Sequence, residues 1–423
     1  MPAIEGFRIK NYKALKSIEL GRFYNSVDAQ KPLTPLTVVI GKNGAGKSSL
    51  FDAFGFLSDS LKFGVEDACN LKKRGGYDKI HSQGQDGPIY FEIYFSPGKK
   101  ISPITYQLSI NKDSNERVYV EEEILRQRRN NTQGRGYPLT FLRLSNGQGF
   151  AYKGETGGEK TDENKSDQKR SVKLQGKSDR EPVELSDNRK LGIATLGSLK
   201  EHSRISMFRE YIEGWYLSYF SPDAARDLPY AGPQKHLDIR GENLSNVVQF
   251  MEREYPDKFN QILGGIAQKI PGIHKISTKI SDDRRLLLQF NDKGFTDPFY
   301  VDQMSDGTLK MFSYMLLLED PTPPPFLCIE EPENGLYHKL LETLAQEFRA
   351  YSKKDNGSQV FITTHQPYFL NALGPDEVWI LEKSKDGFST IRQASEDETI
   401  GHLFNAKLPL GDLWYSDYLE GRP

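Results

Sequence analysis

Apolar positions in the first sixty residues follow two different periods. Leu36 to Ile40, LTVVI, is a largely β-branched run that predicts a short buried strand. Leu50, Phe54, Leu57 and Leu61 recur every three or four residues, predicting a helix with one core-facing stripe. Between them Gly41-Lys42-Asn43-Gly44-Ala45-Gly46-Lys47-Ser48 fits G-x-x-x-x-G-K-[ST] in full. Gly44 and Gly46 allow successive N–H groups to turn inward and cradle an anion. Asn43 tolerates left-handed dihedrals. The helix that follows aims its positive end at the same place.

Alternation predicts further strands on both sides of this unit. Phe7–Tyr12 and Ser17–Leu20 read as two short strands leading into the loop strand, and Ile89–Phe95, Ile104–Ile110 and Val118–Leu125 as three more. Phe141–Leu144 and Phe150–Tyr152 suggest a hairpin around Asn146-Gly147. This is an antiparallel block beside a parallel sheet, and the expected place for adenine and ribose. Residues 154–190 are dominated by Lys, Glu, Asp, Ser and Gly and read as a solvated loop. The alternative is an arm that orders on a partner, although mixed charge argues against a simple basic tail. Residues 191–220 turn helical and aromatic. A helix opens at Gly241-Glu242-Asn243-Leu244 with Leu244, Val247, Val248 and Met251 on one face, and another runs from Pro256 to Pro271-Gly272. Strands Lys275–Ile280 and Leu286–Phe290 follow, and no internal repeat occurs.

Composition narrows the class. With 423 residues, two or three domains are expected. No apolar run approaches the ~20 residues of a membrane span, and MPAIEGFRIKNYKAL lacks the pattern of a secretory signal. Two cysteines exclude a disulfide framework and fit a reducing cytosol. A net charge of −2 supplies no global attraction to nucleic acid, so any contact must come from local patches. Lys72-Lys73-Arg74 and residues 126–129 are the candidates.

Three later segments carry chemistry. Ser305-Asp306-Gly307 precedes the apolar helix Leu309–Leu318; it is either an ordinary cap or a phosphate-binding helix start. Phe326–Glu331 is a buried strand ending in two carboxylates, which are costly to bury without a cation or an open cleft. Opposite a phosphate loop, Glu330 suits Mg²⁺ and Glu331 suits a base for water. Gln359–Thr364 ends at His365, one helix later, where a γ-phosphate sensor would stand. The other six histidines show no metal-ligand spacing.

Phosphate loop, serine-glycine helix start, acid pair and strand-end histidine stand in the order of an ABC-type ATPase head. The chain resembles the RecF/SMC-like branch, and more closely the AAA-family ATPases with S-D-G-T, I-E-E-P-E-N-G-L and T-T-H blocks related to the ATPase half of OLD-type proteins. The resemblance spans nearly the whole chain, including Pro222–Arg226, and is weakest over 154–190. It implies an α/β P-loop NTPase of ABC type: a mixed central sheet with helices on both faces, an antiparallel β subdomain and a helical insertion. Its lobes would be 1–153 and 301–423, separated by a charged insertion at 154–190 and a helical/β subdomain at 191–300. It also implies ATP and Mg²⁺ as cofactors, bound through Asn43, Gly44, Ala45, Gly46, Lys47, Ser48 and Ser49, with Ser48 and Glu330 on the metal. Glu331 would be the hydrolytic base and His365 the switch histidine. Ser305, Asp306 and Gly307 would cap the γ-phosphate of a second copy, giving a homodimer through an ATP sandwich.

The function implied is a cytoplasmic, ATP-gated switch in nucleic-acid processing or bacterial anti-phage defence, controlling a separate effector such as a nuclease. The 58 residues after His365 are too few for the nuclease domain of OLD-type proteins. DNA or RNA is a candidate ligand and no membrane is expected. The alternatives are an ABC transporter's ATPase subunit and a compact RecF-like repair ATPase. Asp306 stands where the family has glycine, Glu330 where aspartate is commoner, and Tyr337-His338 where His-Pro is usual. Asp306 is expected to slow closure or hydrolysis. The glutamine that couples Mg²⁺ to the inserted domain is Gln83, Gln85 or Gln127.

Overall fold

The computed structural model describes residues 1–24, 31–98, 101–127, 138–153, 180–270, 272–355 and 357–419. The chain opens with strands β1 (Ala3–Tyr12), β2 (Leu15–Gly21) and β3 (Leu36–Ile40), then helix α1 (Lys47–Phe63). Strands β4 (Ile89–Ser96), β5 (Ile104–Lys112), β6 (Val118–Gln127), β7 (Leu139–Ser145), β8 (Gln148–Tyr152) and β9 (Arg180–Glu184) follow. Helix α2 (Ser203–Glu213) leads to β10 (Tyr216–Ser218), then α3 (Leu244–Glu254) and α4 (Pro256–Lys269). Next come β11 (Ile273–Ile280), β12 (Leu286–Asp292), β13 (Phe299–Tyr300), α5 (Asp306–Leu318) and β14 (Phe326–Glu330). The chain continues through α6 (His338–Ser352), β15 (Gln359–Thr364), β16 (Val378–Lys383), β17 (Ser389–Gln393) and α7 (Glu398–Asn405).

These elements form two compact units. The first comprises residues 1–34, 42–215 and 381–392. Its sheet has eight strands in the order β2-β1-β4-β5-β6-β7-β8-β9, and every neighbouring pair is antiparallel. Asn146 and Gly147 both take positive φ, as the two-residue turn between β7 and β8 requires. Phe7 on β1 stacks on Phe54 of α1 with ring centroids 4.4 Å apart.

Three expectations change here. β1 and β2 are longer than the sequence pattern suggests and belong to the antiparallel sheet, which extends the alternating block to the amino terminus. α1 is not buried on one stripe: Phe51, Ala53, Phe56, Ser58, Asp59 and Ser60 are buried as well as Leu50, Phe54, Leu57 and Leu61. It is a core helix, so a narrow apolar stripe understates its contacts. Within 154–190, residues 180–184 are not loop but β9, the last strand of the sheet, pairing Val183 with Gly149 and Pro182 with Phe150. A single edge strand exposes one face and most of its polar side chains, so its composition resembles a linker. Residues 154–179 lie outside the described residues.

The second unit comprises residues 35–41, 216–380 and 393–423. Its sheet runs β10-β14-β15-β3-β16 with all four pairings parallel. Tyr216–Ser218, read as part of a helical stretch, is the edge strand β10. Val38, Ile40, Leu327, Ile329, Val360 and Ile362 form one core with apolar side chains of α3, α4, α5 and α6. Leu244, Val247, Val248 and Met251 all bury, as their spacing predicts. β16 continues into a tight hairpin closed by the Ser384 N–H on the Phe388 carbonyl, returning as β17. The architecture is that of a P-loop NTPase.

Candidate active site

In the first unit the phosphate loop has the backbone its sequence demands. Gly44 takes φ 82° and Gly46 takes φ 108°, both in the left-handed region that glycine reaches without penalty. α1 begins at Lys47 with no side-chain cap on Gly46 and no acid in its first turn. Such a start favours an anion. Lys47 is 4% exposed, and its ammonium donates to the Lys42 carbonyl at 3.2 Å, back across the loop it would serve. Ser48 is exposed and Ser49 half-buried, while Asn43 and Gly44 lie open and Ala45 is buried. A Cβ on Gly46 would lie 2.4 Å from Ser389 Oγ, so Ser389 shapes the loop. No motif marks Ser389.

In the second unit the carboxyl ends of three parallel strands align. Ile40 of β3 pairs with Thr364 of β15, and Thr363 pairs with Glu330 of β14. The chain passes from Ile40 directly into the phosphate loop. Glu330 is half-buried at its strand end. Glu331, the next residue, takes φ 41°, a conformation that disfavours any side chain and is found where surrounding structure enforces it. Its N–H donates to Thr363 O at 2.8 Å. Its Oε2 accepts from Asn334 Nδ2 at 3.1 Å, and its carbonyl receives Lys310 Nζ at 3.4 Å. His365 Nδ1 lies 3.3 Å from Glu331 Oε1. The structure therefore brings the expected base and the expected switch histidine together.

Two residues of this cluster escaped the motif reading. Glu333 is 4% exposed and accepts from Thr364 Oγ1 at 2.7 Å and from the His365 N–H at 3.0 Å. Burial pushes its carboxyl upward against those hydrogen bonds. Lys310 is buried on α5; burial lowers its pKa, opposed by the charges of Glu333, Glu331 and Asp306. A lone lysine in the apolar run LKMFSYMLLL was the available signal for Lys310. A third acid two residues beyond a recognised pair was the signal for Glu333.

Ser305 is the N-cap of α5: its Oγ accepts from Thr308 N at 3.2 Å and lies 2.9 Å from Thr308 Oγ1. Both Ser305 and Asp306 are exposed. The carboxylate of Asp306 is ion-paired with Arg226, which also donates to Met304 O at 2.9 Å. The extra negative charge at this helix start is thus matched by the arginine that ends the Pro-Asp-Ala-Ala-Arg stretch. Gly307 packs on the loop after the acids: a Cβ there would lie 2.6 Å from Gly335 O.

The candidate basic patch is largely spent inside the first unit. Arg74 is 5% exposed, with Nη2 at 2.8 Å from Asp52 and Nη1 at 2.7 Å from Asp59. Lys72 also reaches Asp59, at 3.1 Å. Both acids belong to α1, so the turn braces the helix rather than facing a polyanion. Arg126 is half-buried in β6, and residues 128–130 lie outside the described residues. Of the candidate coupling glutamines, Gln127 is buried and donates to Ser102 O at 3.2 Å, Gln85 bonds its neighbour Gly84 O, and Gln83 is exposed. Among the described residues one further group has metal-ligand spacing, Glu181, Glu201 and His202. The Lys153 ammonium bridges its two carboxylates at 2.8 and 2.9 Å.

In the first unit a glycine nest with a lysine and a hydroxyl at the helix start suits a triphosphate, and in the second unit the carboxylates at an aligned strand end suit Mg²⁺. The chain belongs to the family described as "AAA domain, putative AbiEii toxin, Type IV TA system", whose model matches residues 36–371. No curated protein sequence matches it. Among solved structures it is similar to an Smc head bound to the C-winged helix domain of ScpA. That structure is 12% identical, with TM-score 0.51, covering 92% of this chain and 97% of the other. It is also similar to an Smc head with an extended coiled coil bound to the C-terminal domain of ScpA from Pyrococcus furiosus. There the identity is 13% and the TM-score 0.50, covering 96% of this chain and 100% of the other. At such identity the likeness is one of fold, and it bears out the resemblance to SMC-like ATPase heads. No helix among the described residues is long and apolar enough to cross a membrane.

Proposed function

We propose that this member of the AAA-domain family binds and hydrolyses ATP with Mg²⁺ and uses the cycle as a cytoplasmic switch. The observation that carries the reading is the phosphate loop, with its glycines at positive φ and an uncapped helix start behind Lys47. In this reading Asn43 to Ser49 cradle the triphosphate, and Ser48 and Glu330 hold Mg²⁺. Magnesium, when bound, would supply neutralisation of the phosphate charge. Glu331 takes the proton of the attacking water and His365 contacts the γ-phosphate. Ser305, Asp306 and Gly307 close on the ATP of a second copy, so that the active form is a homodimer.

The switch controls a separate effector, such as a nuclease, in nucleic-acid processing or anti-phage defence, as the resemblance of the S-D-G-T, I-E-E-P-E-N-G-L and T-T-H blocks to OLD-type sequences suggests. The words "toxin" and "TA system" in the family description suit a chain that works with a second protein. Direct contact with DNA or RNA has lost support, because Lys72 and Arg74 are paired internally. ATP turnover by the wild type and by Glu331→Gln tests the core of the proposal. Turnover should fall roughly 10²–10⁴-fold in Glu331→Gln while ATP and Mg²⁺ remain bound. A folded wild type that binds no ATP would overturn it. If Glu330→Gln kills turnover with metal binding intact, and Glu331→Gln does not, the two acids are exchanged.

A further inference from the structure

In a neutral imidazole the single ring proton can sit on either nitrogen, and the partners of His365 favour one of them. Gln366 Nε2 lies 3.1 Å from His365 Nε2, and an amide N–H donating there leaves the proton on Nδ1. His365 Nδ1 is then 3.3 Å from Glu331 Oε1 and also 3.3 Å from Glu333 Oε1. It meets the angular requirement of a hydrogen bond to neither. Glu333 is meanwhile fixed in place. Thr364 Oγ1 and the His365 N–H both donate to its Oε1, while its Oε2 is buried without a hydrogen-bond partner among the described residues. A buried carboxylate so incompletely satisfied is costly and calls for an explanation.

We propose that Glu333 is a positioning residue for His365: it anchors the histidine main chain and competes with Glu331 for the Nδ1–H. A carboxylate that accepts a hydrogen bond is a weaker base. If His365 pointed its proton only at Glu331, the residue needed to activate water would be partly blocked. A second carboxylate at equal distance lets the ring turn away and leaves Glu331 available. No covalent step is involved, and Glu333 need touch neither nucleotide nor metal. The inference rests on the ATPase reading, in which Glu331 is the base.

The test is Glu333→Gln, which keeps an acceptor for Thr364 and for the His365 N–H but removes the charge that attracts Nδ1–H. Expected is a fall in kcat of about tenfold, the lower end for losing an outer partner of a functional histidine. The dissociation constant for ATP-Mg²⁺ should not change. In a His365→Ala background the same substitution should cost nothing further, because the two residues act through one contact. Should Glu333→Gln not fold, Glu333→Asp, with the charge one methylene short, is read in the same way. A second readout needs no turnover: the ring ¹⁵N signals of His365, assigned by their loss in His365→Ala, should show protonated Nδ1 in the wild type and shift in Glu333→Gln. Unchanged ring signals, or an equal loss of kcat with and without His365, would overturn the role of Glu333. Absence of ATP hydrolysis in the wild type would instead sink the ATPase reading, and the ring signals would still decide the Glu333–His365 relation.

Discussion

Ser389 donates its hydroxyl to the Ala45 carbonyl at 2.6 Å, although 344 residues separate the two. The Ser389 N–H is bonded in turn to Ala14 O, so one residue of β17 ties the phosphate loop to the β1–β2 turn. With its carbonyl held outward, Ala45 cannot turn an oxygen toward the anion. Ser389→Ala removes the donor and leaves a buried carbonyl short of its partner, a loss of ~1–2 kcal/mol. The expected result is about a tenfold weaker affinity for ATP-Mg²⁺ by calorimetry, with the fold intact. Unchanged affinity would mean that the loop keeps its shape without this brace.

Lys47→Ala should abolish ATP binding. The buried ammonium is the loop's own cation, and without it the triphosphate charge is poorly compensated, at a cost of several kcal/mol. Nucleotide titration of the folded variant decides the matter, and wild-type affinity would rule out the loop as the phosphate site.

Ser305→Arg separates binding from assembly. Ser305 is an exposed cap on α5, and the proposed contacts to the monomer's own ATP belong to Lys47 and Ser48, so bulk and charge there should leave monomer ATP affinity nearly unchanged. In Glu331→Gln, light scattering should show a dimer that depends on ATP-Mg²⁺, and adding Ser305→Arg should abolish it. Wild-type hydrolysis by Ser305→Arg alone would contradict the sandwich.

Glu123 makes stability depend on pH. It is fully buried in β6 and accepts from the Gly192 and Ile193 N–H groups and from Tyr106 Oη. Burial outweighs these bonds and pushes its carboxyl up to about 7 from an ordinary 4.5. Because the folded value is the higher one, the native state binds the extra proton. The contribution is fully present below about 4.5 and is lost as pH rises through about 7. At ~1.4 kcal/mol per unit the whole effect is about 3 kcal/mol. Glu123→Gln should therefore flatten the melting temperature between about pH 4.5 and about pH 7 and gain most relative to wild type at the alkaline end of that window. A wild-type melting temperature that does not fall over that range would show the carboxyl to be ionised throughout.

The apolar periods of the sequence were sufficient for β3, α3, α4 and the paired strands of the antiparallel block, because strand alternation and helical stripes are local properties. The same periods misread α1, whose burial on nearly every side depends on what surrounds it, and β10, whose three residues carry no period at all. β9 was hidden for a related reason: Arg180-Glu181-Pro182-Val183-Glu184, with three charges and a proline, has the composition of a loop, and only its partner β8 makes it a strand.

Residue types and spacing alone determined that this chain carries a phosphate loop, a paired-acid strand and a strand-end histidine, since each is a short run with its own geometry. Tertiary structure decided what those residues touch. It placed Glu333 beside His365, set Arg226 against the charge of Asp306, drew Arg74 inside onto Asp52 and Asp59, and brought Ser389 to the back of the loop. All of these contacts join residues distant in the chain, and the partner of a buried charge or carbonyl is fixed by packing rather than by its neighbours in sequence.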